Sequence, residues 1–351
     1  MTASEGSYIG LAQQTAKGTA MATDASFTYL LLLRSALGIN NANLPLDMEV
    51  GGGAFQRNVV KAGVTTGGAI RFIPRPESIG HFLKAYFGKC TSTPGSGDDV
   101  SHLFEFMTSQ FDAPYYTIRN SPGGMFGHQY QDQRLAALSF DFAARDFLRA
   151  SAAFVGGIPK KVATTAWSPG DYTDEGPQFL SVLSKIEVPD GTSLKVLSGT
   201  IGMQNAIPLD QQWIIGSYSP DDFAINQRAV AMNLVVKVAD DGVLYNKLAL
   251  DPDAGVGGLW AADLFKEADL DISFVSNEEA GTGVDYSITF SANGESGDTS
   301  NVIWQVAPLD IIPGRQIVMN VVGTFLADPT AGADPFSVTL VNQETAYADP
   351  S

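Results

Sequence analysis

Short runs in which apolar and polar residues alternate recur along the chain. Ser26–Leu30, Ala69–Ile73, Leu135–Phe142, Ala231–Val238, Gln316–Val322 and Phe336–Val341 all carry this pattern. A period of two turns one face of each run toward a core, so the pattern predicts strands. One stretch breaks it. Between Pro76 and Gly88 the apolar residues Ile79, Phe82, Leu83, Tyr86 and Phe87 fall at helical spacing. They form one face of an amphipathic helix, with Pro76 and Glu77 suited to its first turn and Gly88 to its C-terminal cap. Two weaker helices are expected near Gly242–Leu250 and Trp260–Glu267. Lys89–Asp99 reads as a polar loop and Ile158–Pro177 as a linker rich in Pro and Gly. Gly281–Asn301 mixes turn and strand signals.

The second half of the chain echoes the first. Leu37–Asp47 corresponds to Ile201–Asp210, and Phe55–Val59 to Asn226–Val230. The helical Phe82–Phe87 corresponds to Tyr245–Leu250, Tyr116–Ile118 to Tyr286–Ile288, and Arg145–Gly156 to Arg315–Phe325. These correspondences keep one order, with offsets of 163 to 171 residues. Such regularity predicts two copies of one unit of strands, a helix, a loop and more strands. The expected division is residues 1–160, a linker at 161–177, and residues 178–351.

Composition narrows the function. Only 17% of the 351 residues are charged, against roughly 25% in an average domain. The 36 glycines and abundant small polar residues suit short strands and turns. The net charge of -17 argues against tight nucleic-acid binding, which needs cations to neutralise phosphates. The charge is uneven: +2 over residues 1–170 and -19 over residues 171–351. The single cysteine, Cys90, excludes an internal disulfide and reads as a half-buried small hydrophobe. Met1–Gly18 is polar, and the apolar run Tyr29–Leu33 is too short to span a bilayer, so neither a signal peptide nor membrane insertion is expected.

Candidate chemistry is sparse. His81, His102 and His128 show no metal-ligand or catalytic spacing. Gly51–Gly53 and Gly123–Gly124 lack the strand-to-helix context of a phosphate cradle and suit turns or bulges. Asp251–Gly255 has too few carboxylates for a calcium loop. The adjacent acid pairs Asp98–Asp99, Asp221–Asp222, Asp240–Asp241 and Glu278–Glu279 read as solvated loops. No catalytic, cofactor-binding or metal-binding residue is assigned, no cofactor is expected, and an enzyme is not expected.

Four segments resemble the tail tube proteins of long-tailed bacteriophages. They are Glu5–Gly10 with Ala16–Ala20, the stretch Gly51–Phe87 containing Gly68–Phe72 and the helix, His102–Phe106 with Pro114–Ile118, and the pair Leu135–Phe142 and Phe147–Val155. The resemblance implies a mainly β chain of two tandem tail-tube-like β-sandwich or barrel domains, each with a flanking α-helix. It implies a structural subunit of a non-contractile tail tube, with rings stacked around a lumen for genome passage. Tandem members of this kind imply homotrimeric rings with pseudo-sixfold symmetry. The implied partners are further copies of the chain, tape measure, tail terminator and tail tip proteins, and DNA in transit. The implied location is the virion tail, assembled in the bacterial host cytoplasm. DNA sliding without adhesion further implies a lumen that is negative on balance, with few basic residues facing in. Other readings are a tail terminator, a decoration protein, an Hcp-like secretion tube, or a soluble β-sandwich binding module.

Overall fold

The computed structural model describes residues 7–22, 26–47, 55, 58–107, 113–123, 126–162, 176–188, 192–238, 266–267, 270–292, 302–306, 316–326 and 336–347. The chain is mainly β, with every named strand pairing antiparallel. In the first half the strands are β1 (Tyr8–Gln13), β2 (Thr28–Leu30), β3 (Arg34–Ser35), β4 (Gly38–Pro45) and β5 (Val59–Phe72). Helix α1 (Pro76–Phe87) follows, then β6 (Gly88–Pro94), β7 (Val100–Phe106), β8 (Tyr116–Ser121), β9 (Gly127–Ala143), β10 (Arg149–Gly156) and β11 (Lys160–Val162). In the second half come β12 (Leu180–Val188), β13 (Thr192–Ser193), β14 (Val196–Ala206), β15 (Gln227–Lys237) and β16 (Lys266–Glu267). The last are β17 (Leu270–Gly281), β18 (Val284–Ala292), β19 (Val302–Val306), β20 (Val318–Phe325) and β21 (Ser337–Asn342).

Two sheets face each other. The larger runs β16-β19-β20-β15-β14-β9-β10-β5-β3, with β4 alongside β3 on β5. The N-terminal part of β9 branches away to pair with β8 and β11, and β8 in turn carries β1 and β2. The smaller sheet runs β13-β12-β17-β18-β21-β7-β6. Both sheets cross between the halves of the chain. In the larger sheet β9 pairs with β14 from Ala143↔Ser198 to Ala137↔Gln204. In the smaller, the C-terminal strand β21 lies between β18 and β7.

Alternation explains the core. Along β9, β10, β14 and β15 every second residue turns inward, giving the buried Leu138, Phe140, Ala152, Phe154, Ile201, Met203, Met232 and Leu234. They meet the inward residues of the smaller sheet through aromatic pairs such as Phe140–Phe290 and Phe142–Phe274, with centroids 4.9 and 5.1 Å apart. Edge-on packing at such spacing is the favoured aromatic geometry.

Helix α1 spans the stretch where helical spacing places it, and Ile79, Phe82, Leu83, Tyr86 and Phe87 are all fully buried. Gly88 ends it in the left-handed region, φ 84°, with its N–H donating to the Lys84 carbonyl. A side chain there would meet Met107 Sδ at 2.2 Å as well as the wrong backbone angle. Gly80 has a different reason: a Cβ would lie 2.0 Å from the Tyr347 ring, which packs directly on the helix.

Three expectations change. Lys89–Asp99 is not a loop along most of its length, since β6 pairs with β7 from Gly88↔Phe106 to Pro94↔Val100. Its inward positions hold Cys90 and Ser92 in place of large hydrophobes, so the strand alternation was disguised. Only the turn closed by Gly95 N–H to Asp99 O, 2.8 Å, remains. Within Gly281–Asn301, Thr282–Gly283 make the turn and Val284–Ala292 the second arm of the β17–β18 hairpin. At the end of the expected helix Trp260–Glu267, Lys266 and Glu267 are strand, paired with Trp304 and Ile303. The rest of that segment and Gly242–Leu250, where the second flanking helix was expected, lie outside the described residues. So do Gly51–Gly53, Gly124, Asp240–Asp241 and Asp251–Gly255.

Candidate assembly surfaces

The histidines do not form a reactive group. His81 and His102, 21 positions apart in sequence, both stack edge-on against Tyr347, at 5.1 and 4.8 Å between ring centroids. Sequence spacing gave no sign of this, because Tyr347 arrives from the chain's C-terminal segment. His102 is held at both ring nitrogens, by Ser92 Oγ at 2.8 Å and Asn342 Oδ1 at 2.9 Å. Asn342 in turn donates to the Pro76 carbonyl and to Tyr347 Oη, both at 2.7 Å. The cluster is a saturated polar bolt that fixes β21 to α1 and β7. His128 lies elsewhere, near Tyr130 Oη at 3.3 Å. Cys90 is half-buried, and burial pushes its thiol up from the usual range. Among the described residues no group of three or more His, Cys, Asp or Glu side chains is placed to hold a metal. No described helix is long and apolar enough to cross a membrane.

The bolt makes stability depend on pH. Burial lowers the His81 pKa to about 4, and lowers that of His102 as well. Both bind protons more readily in the unfolded chain, so their contribution is complete above pH 6.5 and is lost as pH falls toward 4. Glu77 and Glu344, raised by burial, act in the opposite sense above their ordinary value of 4.5. Between pH 6.5 and 5 the His81 effect is on the order of 1–2 kcal/mol. Thermal melts should therefore show lower midpoints at pH 5 than at 6.5. His81→Asn should flatten that slope by about one proton. An unchanged slope would contradict a neutral His81 in the folded chain.

The surfaces tell more than the side-chain clusters. The face of the large sheet away from the core is built in cross-strand rows. One row reads Ala69, Ala153, Ala137, Gln204 and Ala229. The next reads Arg34, Arg71, Ser151, Ser139, Gly202, Ala231 and Thr324. The third begins with Arg149 and Asp141 and continues through Thr200, Asn233 and Val322. From β9 to β20 these rows are small and almost uncharged.

The two lateral edges are open in different ways. On one side, among the described residues, β4 pairs only with β5, and its residues Ile39 to Pro45 are exposed. On the other side, among the described residues, β19 carries only the two-residue β16 beyond β20. A long strand with an unpaired edge offers a row of free N–H and C=O groups to another strand.

A family model described as phage tail tube protein matches residues 4–339. The chain belongs to that family. A search of curated proteins returned no match. Membership makes the tube protein a structural component of a phage tail, and its open-edged sheets are the kind of architecture that self-assembly requires. The sequence assigned no site residue, and the surfaces that distinguish this tube protein are strand edges and sheet ends. Periodicity reveals which strand faces are polar, but not which edges lack a neighbour.

Proposed function

We propose that the tube protein forms rings by continuing its large sheet from one copy to the next, and that the rings stack into the tube of a long non-contractile tail. The observation that carries this reading is the β9–β14 junction inside the chain. The strand series β4-β5-β10-β9 is followed directly by β14-β15-β20-β19. If the two halves are copies of one unit, divided near residues 161–177, β14 is the counterpart of β4 and β19 of β9. The chain then already contains one head-to-tail contact between units. The same contact from β19 of one copy to β4 of the next is heterologous, and it closes a ring when the rotation permits.

Matched positions favour this. In β14, Ile201, Met203 and Asn205 are buried, and Asn205 Nδ2 donates to Leu135 O on β9 at 2.9 Å. Their counterparts are Leu37, Ile39 and Asn41. Ile39 is 44% exposed where Met203 is 0%, and the neighbouring strand is the difference. Two units per chain give six positions from three copies, a homotrimer with pseudo-sixfold symmetry. Each unit then neighbours only the other kind, so the strongly acidic second halves are never adjacent within a ring.

In this arrangement the outward face of the large sheet lines the lumen through which DNA passes, small and almost uncharged from β9 to β20, with Arg34, Arg71 and Arg149 toward its β3–β5–β10 end. The stretch from β9 to β20 adheres little because its rows carry few cations, which hold phosphates. Small uncharged rows thus take over the role that net charge had suggested for an acidic lining. Tape measure, terminator and tip proteins are the expected neighbours in a tail assembled in the host cytoplasm. Ile39→Asp tests the lateral contact. Electron microscopy should show rings for the wild type and only isolated subunits for a variant with unchanged circular dichroism. Rings formed equally by the variant would contradict the proposed edge.

A further inference from the structure

The exposed large apolar side chains are not scattered. Among the described residues most lie at the two opposite ends of the large sheet. At one end, β4 and the start of β5 project past β10, whose last pair is Gly156↔Thr66, as a two-stranded arm. The arm exposes Leu44, Val59 and Val60, at 63%, 53% and 55%. Beside it lies the segment 207–226, which joins β14 to β15. It is anchored there by Val64 N–H to Tyr218 O, 2.7 Å, and by Trp213 over Gly63. Its tip presents Ile214 and Ile215, the latter wholly exposed.

The opposite end is the turn 144–148 together with a bulge in β12. Phe147 bridges to Leu180, and Ser181 N–H donates to Asp146 O at 3.2 Å, so the bulge sits against the turn. Here Val182 is 73% exposed and Leu183 45%, with Leu33 at 57% close to β3.

The two ends differ in charge. Residues 207–226 contain Asp210, Asp221 and Asp222 and no Lys or Arg. At the far end Arg34 and Arg71 face each other directly across the β3–β5 ladder. They line a depression of about 560 Å³ together with Arg149, Leu33 and two carboxylates, Asp141 and Asp146. Like charges directly opposite on a sheet are unfavourable unless an anion lies between them. Arg149 is paired with Asp146 at 3.0 Å, but no described carboxylate forms an ion pair with Arg34 or Arg71.

We propose that these two ends are the halves of one head-to-tail contact between copies of this chain along the tube axis. Ile214 and Ile215 of one copy seat against Val182 and Leu183 of the next, and the acidic segment 207–226 supplies carboxylates to Arg34 and Arg71. The inference rests on the ring reading and adds the direction and chemistry of stacking. A second copy is the occupant because one chain carries both complementary surfaces at opposite ends of the fold. A contact repeated along that direction does not close and yields a filament. Exposed apolar ends of this kind need cover.

The test uses Ile214→Asp/Ile215→Asp at one end and Val182→Asp/Leu183→Asp at the other, in the full chain. Each variant should keep wild-type circular dichroism and form single rings without tubes, seen by electron microscopy and sedimentation. Mixed, they should form ring pairs and nothing longer, since each retains one intact end. Arg34→Gln/Arg71→Gln should shorten tubes and remove most of the salt dependence of stacking. Wild-type tubes from either apolar variant overturn the proposal. Ring pairs from one variant alone also overturn it, because they indicate end-to-same-end contact. Rings lost in a folded variant would move these residues to the lateral contact and overturn it as well. A wild type without rings at any concentration refutes the ring reading itself, and this inference with it.

Discussion

Replacing Phe82 by Ala should destabilise the chain by about 3–5 kcal/mol, the usual cost of emptying a fully buried aromatic site. Phe82 has no exposed surface. It stacks on Phe72 of β5 at 4.5 Å and meets Phe154 of β10 at 6.2 Å. These contacts join α1 to the strands that carry the open β4 edge. The surrounding rings are held by two sheets and the helix, so they cannot collapse into the vacated space. Most of the lost contact energy should therefore appear in the measured stability. Equilibrium denaturation in urea should show a lower midpoint with an unchanged slope. A midpoint equal to that of the wild type would show that the helix is not part of the cooperative core.

Removing the chain from residue 336 onward should have a still larger effect, the loss of cooperative folding. Strand β21 is interior: it pairs with β18 from Ser287↔Val341 to Ser291↔Ser337, and with β7 from Val338↔Phe104 to Asn342↔Val100. Its absence would leave two facing strand edges without partners and uncover Phe104 and Phe290. It would also remove Asn342 and Tyr347, leaving the buried His102 without its acceptor. A buried polar group deprived of its partner costs about 1–3 kcal/mol, in addition to the lost apolar burial. A milder change, Leu340→Ala, should cost about 2–5 kcal/mol and leave a single transition. If the truncated chain melted cooperatively at the wild-type midpoint, β21 would not join the halves as described.

The helix and most interior strands were legible in sequence because burial on one face imposes a period. Phe82, Leu83 and Phe87 fall on the helical face, and Leu138, Phe140 and Phe142 alternate as strand residues must. Strand β6 was hidden because Cys90 and Ser92, small and partly polar, occupy its inward positions; Ser92 is there to hold His102. The bolt of His81, His102, Asn342 and Tyr347 was hidden for another reason. Its members come together only through tertiary pairing of β21 with β7, which no local pattern encodes. The assembly surfaces lie between these cases. The sequence echo between Leu37–Asp47 and Ile201–Asp210 pointed to corresponding strands. Only the pairings show that the second of these strands has a neighbour where the first, among the described residues, has an open edge.

That open edge leads to the most direct measurement, the symmetry of a reconstructed tube assembled from the purified chain. The account predicts threefold rings in which six similar units alternate and β19 of each copy runs antiparallel to β4 of the next. Ile39 would be buried at that seam as Met203 is within the chain. Sixfold rings of whole chains, or a tube in which β4 faces solvent, would contradict it.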